Sequence, residues 1–174
     1  MRLATQGEVE NILGEPIKST NGLVKFISPF PLRIAWDLKK VVHSFYVHPC
    51  IHEAITGVFN DLMDHYGEAE IMRLGINLFG GVYNYRPQRG TERWKNPIWS
   101  KHAWAIAIDL DPGRNGLKTK APKAQFSKPE YKAMIDIFYK HGFVGLGPEK
   151  NMDWMHFEYS AESLKKYLND RKGL

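Results

Sequence analysis

The sequence predicts an α+β fold in which helices flank a mainly antiparallel sheet, with residues 1–174 forming a single domain. Segments with apolar residues at helical spacing alternate with short runs rich in Ile, Val, Phe and Tyr, which are typical of strands. The chain has 174 residues, the length of one ordinary domain, and its sequence shows no internal repeat. Hydrophobic residues make up 43% and charged residues 25%, so we expect a packed core rather than disorder.

The N-terminal part of the sequence predicts two helices after an irregular start. Residues 1–30 are the less regular segment, because glycines and prolines break any long element, and only 23–27 has the pattern of a strand. From Ile34 onward the apolar spacing predicts a helix. Its buried face would consist of Leu38, Val41, Val42 and Phe45. A second apolar stripe predicts a helix from Ile51 to Tyr66, begun by Pro49 and ended by Gly67.

The C-terminal part predicts most of the sheet. Strands are predicted at 74–79, 82–85, 104–110, 143–146 and 155–159. Residues 86–99 and 112–128 are predicted loops, the second of them basic and rich in glycine and proline. Helices are predicted from Pro129 to Gly142 and after the capping residue Ser160.

Charge and cysteine content narrow the possible functions. The formal net charge is +5, which favours anionic partners such as nucleic acid, anionic lipid or cell-wall polymer, or serves solubility alone. The single cysteine, Cys50, excludes an intramolecular disulfide and any zinc site built from two or more cysteines. The amino terminus lacks the apolar run of a secretory signal, and no window has the length of a membrane span. We therefore expect a chain made in the cytoplasm, without membrane insertion.

Two short segments combine histidines with carboxylates at the edges of predicted strands. Residues 100–109 read Ser-Lys-His-Ala-Trp-Ala-Ile-Ala-Ile-Asp, and residues 153–158 read Asp-Trp-Met-His-Phe-Glu. A hydrolytic zinc site takes three protein ligands and leaves a fourth position for water. The candidate ligands are His102, Asp109 and His156. Asp153 remains as a general base for that water.

The spacing between the first two candidate ligands restricts the local structure. His102 and Asp109 are seven residues apart, so on one straight strand their side chains would face opposite ways. They converge if His102 lies on the loop before the strand, if a bulge intervenes, or if the segment is a helix. The alternation of Ile and Ala favours a strand. Spacing alone is weak evidence for a metal site, since a chain with seven histidines offers several such pairs.

Taken together, the two segments resemble the D-alanyl-D-alanine peptidase group of zinc enzymes. That group includes D,D-dipeptidases, D,D-carboxypeptidases and phage L-alanyl-D-glutamate endolysins, and it shares its fold with the amino domain of Hedgehog proteins. Its pattern is Ser-x-His-x-x-Gly-x-Ala-x-Asp, followed by Glu or Asp three residues before a second histidine. Order, internal spacing and the gap between the halves match, and the resemblance covers about residues 74–160.

The resemblance implies a Hedgehog/D,D-peptidase-like fold and assigns roles to individual residues. The Zn²⁺ ligands would be His102, Asp109 and His156. Asp153 would be the catalytic base, and an aspartate in this place is the variant seen in endolysins. Arg86, in the pair Tyr85-Arg86, matches the family's arginine that stabilises the developing oxyanion. The family's glycine is Ala105 here, and we expect this departure to affect local strand geometry more than metal binding.

The sequence therefore predicts a zinc-dependent peptidase that hydrolyses stem peptides of bacterial peptidoglycan. We expect an endolysin-type enzyme that cuts an L-Ala–D-Glu or a D,D-bond, acts as a monomer, and reaches the cell wall or periplasm after release. The alternative is a catalytically inactive zinc-binding module of the same fold that binds cell wall or protein. A nucleic-acid binder is a third option, resting on charge alone, and we predict no nucleic-acid partner.

Several neighbouring residues have two interpretations. Glu158 either orients the ligand His156 or is an ordinary acid at a strand end. Ser100 either bonds near the metal or serves the turn. The aromatic residues near the motifs, Trp94, Trp99, Trp104 and Trp154, either wall a substrate groove or pack the core. Arg89 and Arg93 either bind a substrate carboxylate or carry free loop charge. The remaining histidines, His43, His48, His52, His65 and His141, are predicted to be structural or exposed.

Overall fold

The computed structural model describes residues 1–173, and in this part of the chain six strands form one sheet with the order β2-β1-β3-β4-β6-β5. The strands are β1 (Val24–Ile34), β2 (Asp37–Val47), β3 (Leu78–Gly81), β4 (Ala107–Leu110), β5 (Phe143–Gly145) and β6 (His156–Tyr159). The helices are α1 (Gln6–Leu13), α2 (His52–Leu74), α3 (Pro112–Asn115), α4 (Lys132–Lys140), α5 (Leu146–Lys150) and α6 (Ala161–Lys172). Only the β1–β3 pairing is parallel, so the predicted α+β fold with a mainly antiparallel sheet is confirmed.

The predicted helix after Ile34 is wrong, because β2 occupies that segment and pairs with β1 as a long hairpin. Leu38 and Val41, expected on a buried helix face, are 54% and 46% exposed. Phe45 is buried and stacks on Phe79, with ring centroids 4.9 Å apart. The apolar spacing imitates a helix by coincidence, whereas the β-branched residues of the segment favour the pleated strand.

The N-terminal segment is more regular than its glycines and prolines suggest. α1 begins at a capping box in which Thr5 accepts from the Glu8 backbone N–H and the Glu8 side chain accepts from the Thr5 backbone N–H. The strand expected only at 23–27 continues through Pro29 and Pro31. α2 also passes its predicted end, because Gly67 forms a kink with φ +70° and the helix then resumes to Leu74.

The C-terminal half of the sheet agrees better with the sequence. Strands form at 107–110, 143–145 and 156–159, although Trp104, the predicted start of the first of these, belongs to a 3₁₀ turn, Lys101–Trp104. A strand forms at 78–81 where two strands were predicted between 74 and 85. Ser160 caps α6 by accepting from the Ser163 backbone N–H. Phe138 of α4 stacks on Phe157 of β6, with ring centroids 4.1 Å apart, which holds the helix against this half of the sheet.

Among residues 1–173, no helix has both the length and the apolar character that crossing a membrane would require.

Candidate metal centre

His102 lies on a 3₁₀ turn, Lys101–Trp104, just before β4. The Ser100 hydroxyl accepts from the His102 backbone N–H at 3.4 Å, which makes Ser100 the cap of this turn. The side chain of His102 therefore does not follow the alternation of the strand that carries Asp109. Of the arrangements that bring residues seven apart together, the structure has the one with His102 before the strand.

Asp109 and His156 are direct partners across the antiparallel pair β4–β6. Residues opposite each other in such a pair project to the same face of the sheet, so the two side chains meet without help from loops. The neighbouring strand β3 passes very close at Gly80. A Cβ atom at Gly80 would lie 2.9 Å from the Asp109 Cβ, which is closer than real Cβ contacts allow. Glycine at this position leaves the room that Asp109 occupies.

The ring of His102 is fixed by one backbone contact. Its Nδ1 lies 2.7 Å from the carbonyl oxygen of Val82, so Nδ1 carries the proton and donates it. The other nitrogen, Nε2, therefore presents a lone pair, and it lies 3.2 Å from Asp109 Oδ1. Two lone pairs face each other there, which explains why the buried Nε2 makes no hydrogen bond. Such an atom is a ready ligand for a cation.

The ring of His156 lies between two carboxylates. Its Nδ1 is 3.0 Å from Asp109 Oδ1 and its Nε2 is 3.1 Å from Glu158 Oε2. Burial lowers the pKa of His156, but the hydrogen bonds to Asp109 and Glu158 outweigh burial and raise the pKa to about 10. The carboxylates thus attract a positive charge to this ring, whether a proton or a metal ion. The contact to Glu158 matches the orienting role considered for that residue.

The three candidate ligand atoms fit one metal ion. One atom each from His102, Asp109 and His156 lies within 4.8 Å of the others. Ligand atoms around a tetrahedral zinc ion at about 2.0–2.1 Å stand about 3.3 Å apart, close to the 3.0 Å and 3.2 Å contacts on Asp109 Oδ1. Burial raises the pKa of Asp109, but the hydrogen bond and charge of His156 oppose it, and the pKa is held well below its ordinary value. Asp109 is accordingly an anion at neutral pH.

A cleft of about 480 Å³ opens over this cluster. Asp153 lines it and is only 9% exposed, and its Oδ1 is buried without a hydrogen-bond partner in the described chain. The backbone at Asp153 is left-handed, with φ +53°. Burial is the main reason that the pKa of Asp153 is raised, and the charge of Asp109 adds to it. Asp153 therefore places a carboxylate oxygen without a hydrogen-bond partner among the described residues in the same cleft as the cluster.

Five positive side chains also line the cleft. They are Arg86, Arg89, Lys101, Lys118 and Lys150. Arg86 is half-buried, and its Nη1 donates to the Pro87 carbonyl oxygen at 3.1 Å. Sequence reasoning passed over Lys101, which is 5% exposed. A charged residue inside an otherwise apolar, buried segment was the signal that could have singled it out.

The tryptophans near the motifs do not line the cleft. Trp104 is fully buried, and its Nε1 donates to the Gly14 carbonyl oxygen at 2.8 Å, so it packs the core. Trp99 packs on Tyr85 with ring centroids 4.7 Å apart, while Trp94 is 55% exposed. Arg93 is exposed as well and lies outside the cleft, unlike Arg89.

The position that is glycine in the family pattern has a conformational reason. Ala105 ends the 3₁₀ turn with φ +54° and ψ +39°, the left-handed region that glycine adopts readily and alanine does not. The departure from glycine therefore falls on the backbone of the turn that precedes β4. The methyl group is tolerated, and the histidine turn keeps its position next to β4.

Comparison with known families agrees with this geometry. A family model described as D-alanyl-D-alanine carboxypeptidase matches residues 93–159. The matched segment contains the three candidate ligands and Asp153, whereas Arg86 lies before it. The match confirms the predicted resemblance to this family of zinc peptidases. A comparison with curated proteins gives no match.

Proposed function

We propose that the chain is a zinc-dependent peptidase that hydrolyses peptide bonds in the stem peptides of bacterial peptidoglycan. The observation that carries the proposal is the buried cluster of His102, Asp109 and His156 at the floor of a cleft. The family match over residues 93–159 supports a peptidase rather than another kind of zinc protein.

The protein's own side chains prepare the metal site. Val82 and Glu158 hold the two imidazole rings by the nitrogens that face away from Asp109, so each ring presents its other nitrogen to the centre. A zinc ion held there would supply Lewis-acid chemistry, polarising a carbonyl group and lowering the pKa of water. Three protein ligands leave one position for that chemistry, as in other catalytic zinc sites.

Asp153 and Arg86 act on the reacting groups in this proposal. Asp153 takes the proton from the attacking water and passes it to the leaving amine, since its free Oδ1 faces no other partner in residues 1–173. Arg86 lines the same cleft and stabilises the negative charge that develops on the carbonyl oxygen. A module that only binds zinc needs neither residue, and this favours an enzyme over the inactive alternative.

The choice of substrate rests on the family resemblance and on charge. Peptidoglycan stem peptides carry several carboxylates, and five positive side chains line the cleft. We propose an endolysin-type enzyme that cuts an L-Ala–D-Glu or a D,D-bond and acts on the wall after release. The aspartate base is the feature that favours the endolysin type.

Digestion of purified peptidoglycan tests the proposal directly. The soluble products are identified by mass spectrometry, and the new amino and carboxyl ends define the bond that is cut. We expect new peptide ends with the wild-type protein and none with the His156→Ala variant at equal concentration. Intact stem peptides after prolonged digestion by folded, zinc-loaded protein would exclude the peptidase and favour the binding module.

A further inference from the structure

Lys101 is a buried cation beside the proposed metal ligand His102. It is 5% exposed and lines the cleft together with Asp153 and Arg86. It belongs to the same 3₁₀ turn as His102, so the turn fixes the backbone of both residues next to β4. Lysine is almost never buried without a partner, because transferring an ammonium group out of water is costly.

The structure offers this ammonium group no partner of its own. Among residues 1–173, no carboxylate lies within 4.0 Å of the Lys101 Nζ, and no hydrogen bond engages it. Glu158 contributes the largest attraction by charge, but its carboxylate is already bonded to His156 at 3.1 Å. Asp109 is likewise engaged by the two histidines. The acids at the floor of the cleft therefore contact the histidines of the metal site, and the ammonium group of Lys101 has no protein anion to bind among the described residues.

The other cations of the cleft differ from Lys101. Arg89, Lys118 and Lys150 are exposed, so water satisfies them. Arg86 is half-buried and already donates to a backbone carbonyl. Lys101 is thus the cation that would gain most from an anionic group brought in by the substrate, because a charge-assisted contact is stronger where water is excluded.

Both kinds of bond considered above place the same anion next to the reacting centre. In an L-Ala–D-Glu bond whose peptide continues through the γ-carboxyl, the carbon that carries the leaving nitrogen also bears a free α-carboxylate. In a terminal D-Ala–D-Ala bond, that carbon bears the terminal carboxylate. The two substrates therefore share a carboxylate one carbon away from the leaving amine.

We infer that Lys101 binds this α-carboxylate on the leaving-group side and positions the scissile bond over the metal centre. The inference rests on the proposed peptidase function and adds a specificity that the family match does not supply. It makes a free carboxylate beside the leaving nitrogen the common requirement of the site, whichever of the two bonds is cut.

Matched peptides test the inference. One stem peptide carries the free α-carboxylate beside the scissile bond, and its partner carries a primary carboxamide there. We expect wild-type kcat/KM to be about ten to a hundred times higher for the carboxylate peptide. In Lys101→Met this preference should fall close to one, mainly through a higher KM for the carboxylate peptide. Lys101→Arg should restore part of the preference, and Lys165→Met, which removes an exposed charge on α6, should keep all of it.

The outcomes separate the inference from the function on which it rests. Equal cleavage of both peptides by the wild type, or an unchanged preference in Lys101→Met, overturns the role of Lys101 and leaves the peptidase intact. Cleavage of neither peptide by the zinc-loaded wild type overturns the peptidase itself. If Lys101→Met does not fold, as judged by its melting curve, Lys101→Gln takes its place. A purely structural lysine would change stability and leave the ratio between the two peptides alone.

Discussion

The two halves of the sheet bury different kinds of side chain. The hairpin half, β2-β1 with α2 behind it, buries an aromatic cluster made of Phe26, Phe30, Phe45 and Phe59. Within residues 1–173, every buried residue of a titratable type other than Cys50 lies between Lys101 and Glu158 in the sequence, in the segment that contains β4 and β6. Burying charge costs stability, whereas burying phenylalanine provides it. The comparison indicates that the hairpin half is scaffold and that the other half contains the candidate metal centre.

The largest expected effect is a loss of turnover in a variant of the β4–β6 half, which is compared with a variant of the hairpin half. Asp153→Asn keeps the shape of the side chain but removes the base, so we expect turnover to fall by a factor on the order of a hundred to ten thousand. Its melting temperature and zinc content should stay near those of the wild type. Peptidoglycan hydrolysis, thermal melting and elemental analysis on the same preparation check the three expectations.

The matched change in the scaffold half is Phe45→Leu, which alters a buried ring that does not line the cleft. We expect a loss of about 1–2 kcal/mol in the free energy of unfolding, with turnover of the folded protein unchanged. If Asp153→Asn instead lowered stability and left turnover intact, Asp153 would be a structural acid and the division between the halves would fail.

A second prediction concerns the pH dependence of stability caused by His48, at the end of the hairpin. His48 follows β2, and its Nδ1 accepts from the Cys50 backbone N–H at 3.1 Å. Burial, together with a smaller contribution from the positive charge of Arg171 on α6, lowers the pKa of His48 to about 4. The unfolded chain has an ordinary histidine pKa of about 6.5. Neutral His48 therefore contributes stability that is complete above about pH 6.5 and is lost as the pH falls towards 4.

This contribution amounts to about 3 kcal/mol over that range if the pKa difference is fully expressed. His48→Asn should reduce the slope of unfolding free energy against pH between 4 and 6.5, because asparagine can accept the same bond without titrating. The exposed His43, replaced in the same way, serves as the control and should leave the slope as it is. Parallel curves for wild type and His48→Asn would show that the ring does not titrate in this window.

The smallest expected effect concerns the turn that joins the two halves. The Ala105 carbonyl accepts from the His48 backbone N–H at 3.0 Å, and Ala105 itself has φ +54°. Relief of a left-handed alanine is worth about 1–2 kcal/mol, and the lost buried methyl group costs about 0.8 kcal/mol. We therefore expect Ala105→Gly to raise the free energy of unfolding by about 0.5 kcal/mol, measured by urea titration. Ala103→Gly, in the same turn but without a positive φ, should lower it.

The metal site and the hairpin also differ in how much of their structure the sequence predicts. The candidate ligands could be named from the sequence because the two segments resemble a known family pattern, whereas their spacing alone is weak evidence. The antiparallel pairing of Asp109 with His156 needs no unusual backbone. The 3₁₀ turn at His102 was one of the alternatives, and only the fold could select it. In the hairpin, Val41, Val42 and Phe45 fit a helical period but not the two-residue period of one strand face, so local periodicity predicts a helix, and pairing with β1 determines the strand.

Lys101 and Glu158 show a different limit. Both residues lie near the motifs in the sequence, but only the packing around β4 and β6 buries them. This packing places Glu158 against His156 and Lys101 at the cleft. Burial of a polar side chain depends on residues distant in sequence, so the local pattern can mark Lys101 as unusual but cannot show that it is buried. The raised pKa of His156 has the same origin, since two carboxylates must converge on its ring.

The zinc content of the purified protein and of its ligand variants tests the central claim most directly. Elemental analysis of wild type, His102→Ala, His156→Ala and the control His43→Asn should follow exhaustive dialysis against zinc-buffered solution. We expect about one zinc per chain in the wild type and in His43→Asn, and a large loss of zinc in both ligand variants. Metal content that is the same in all four folded proteins would contradict the assignment of His102, Asp109 and His156 as a zinc site.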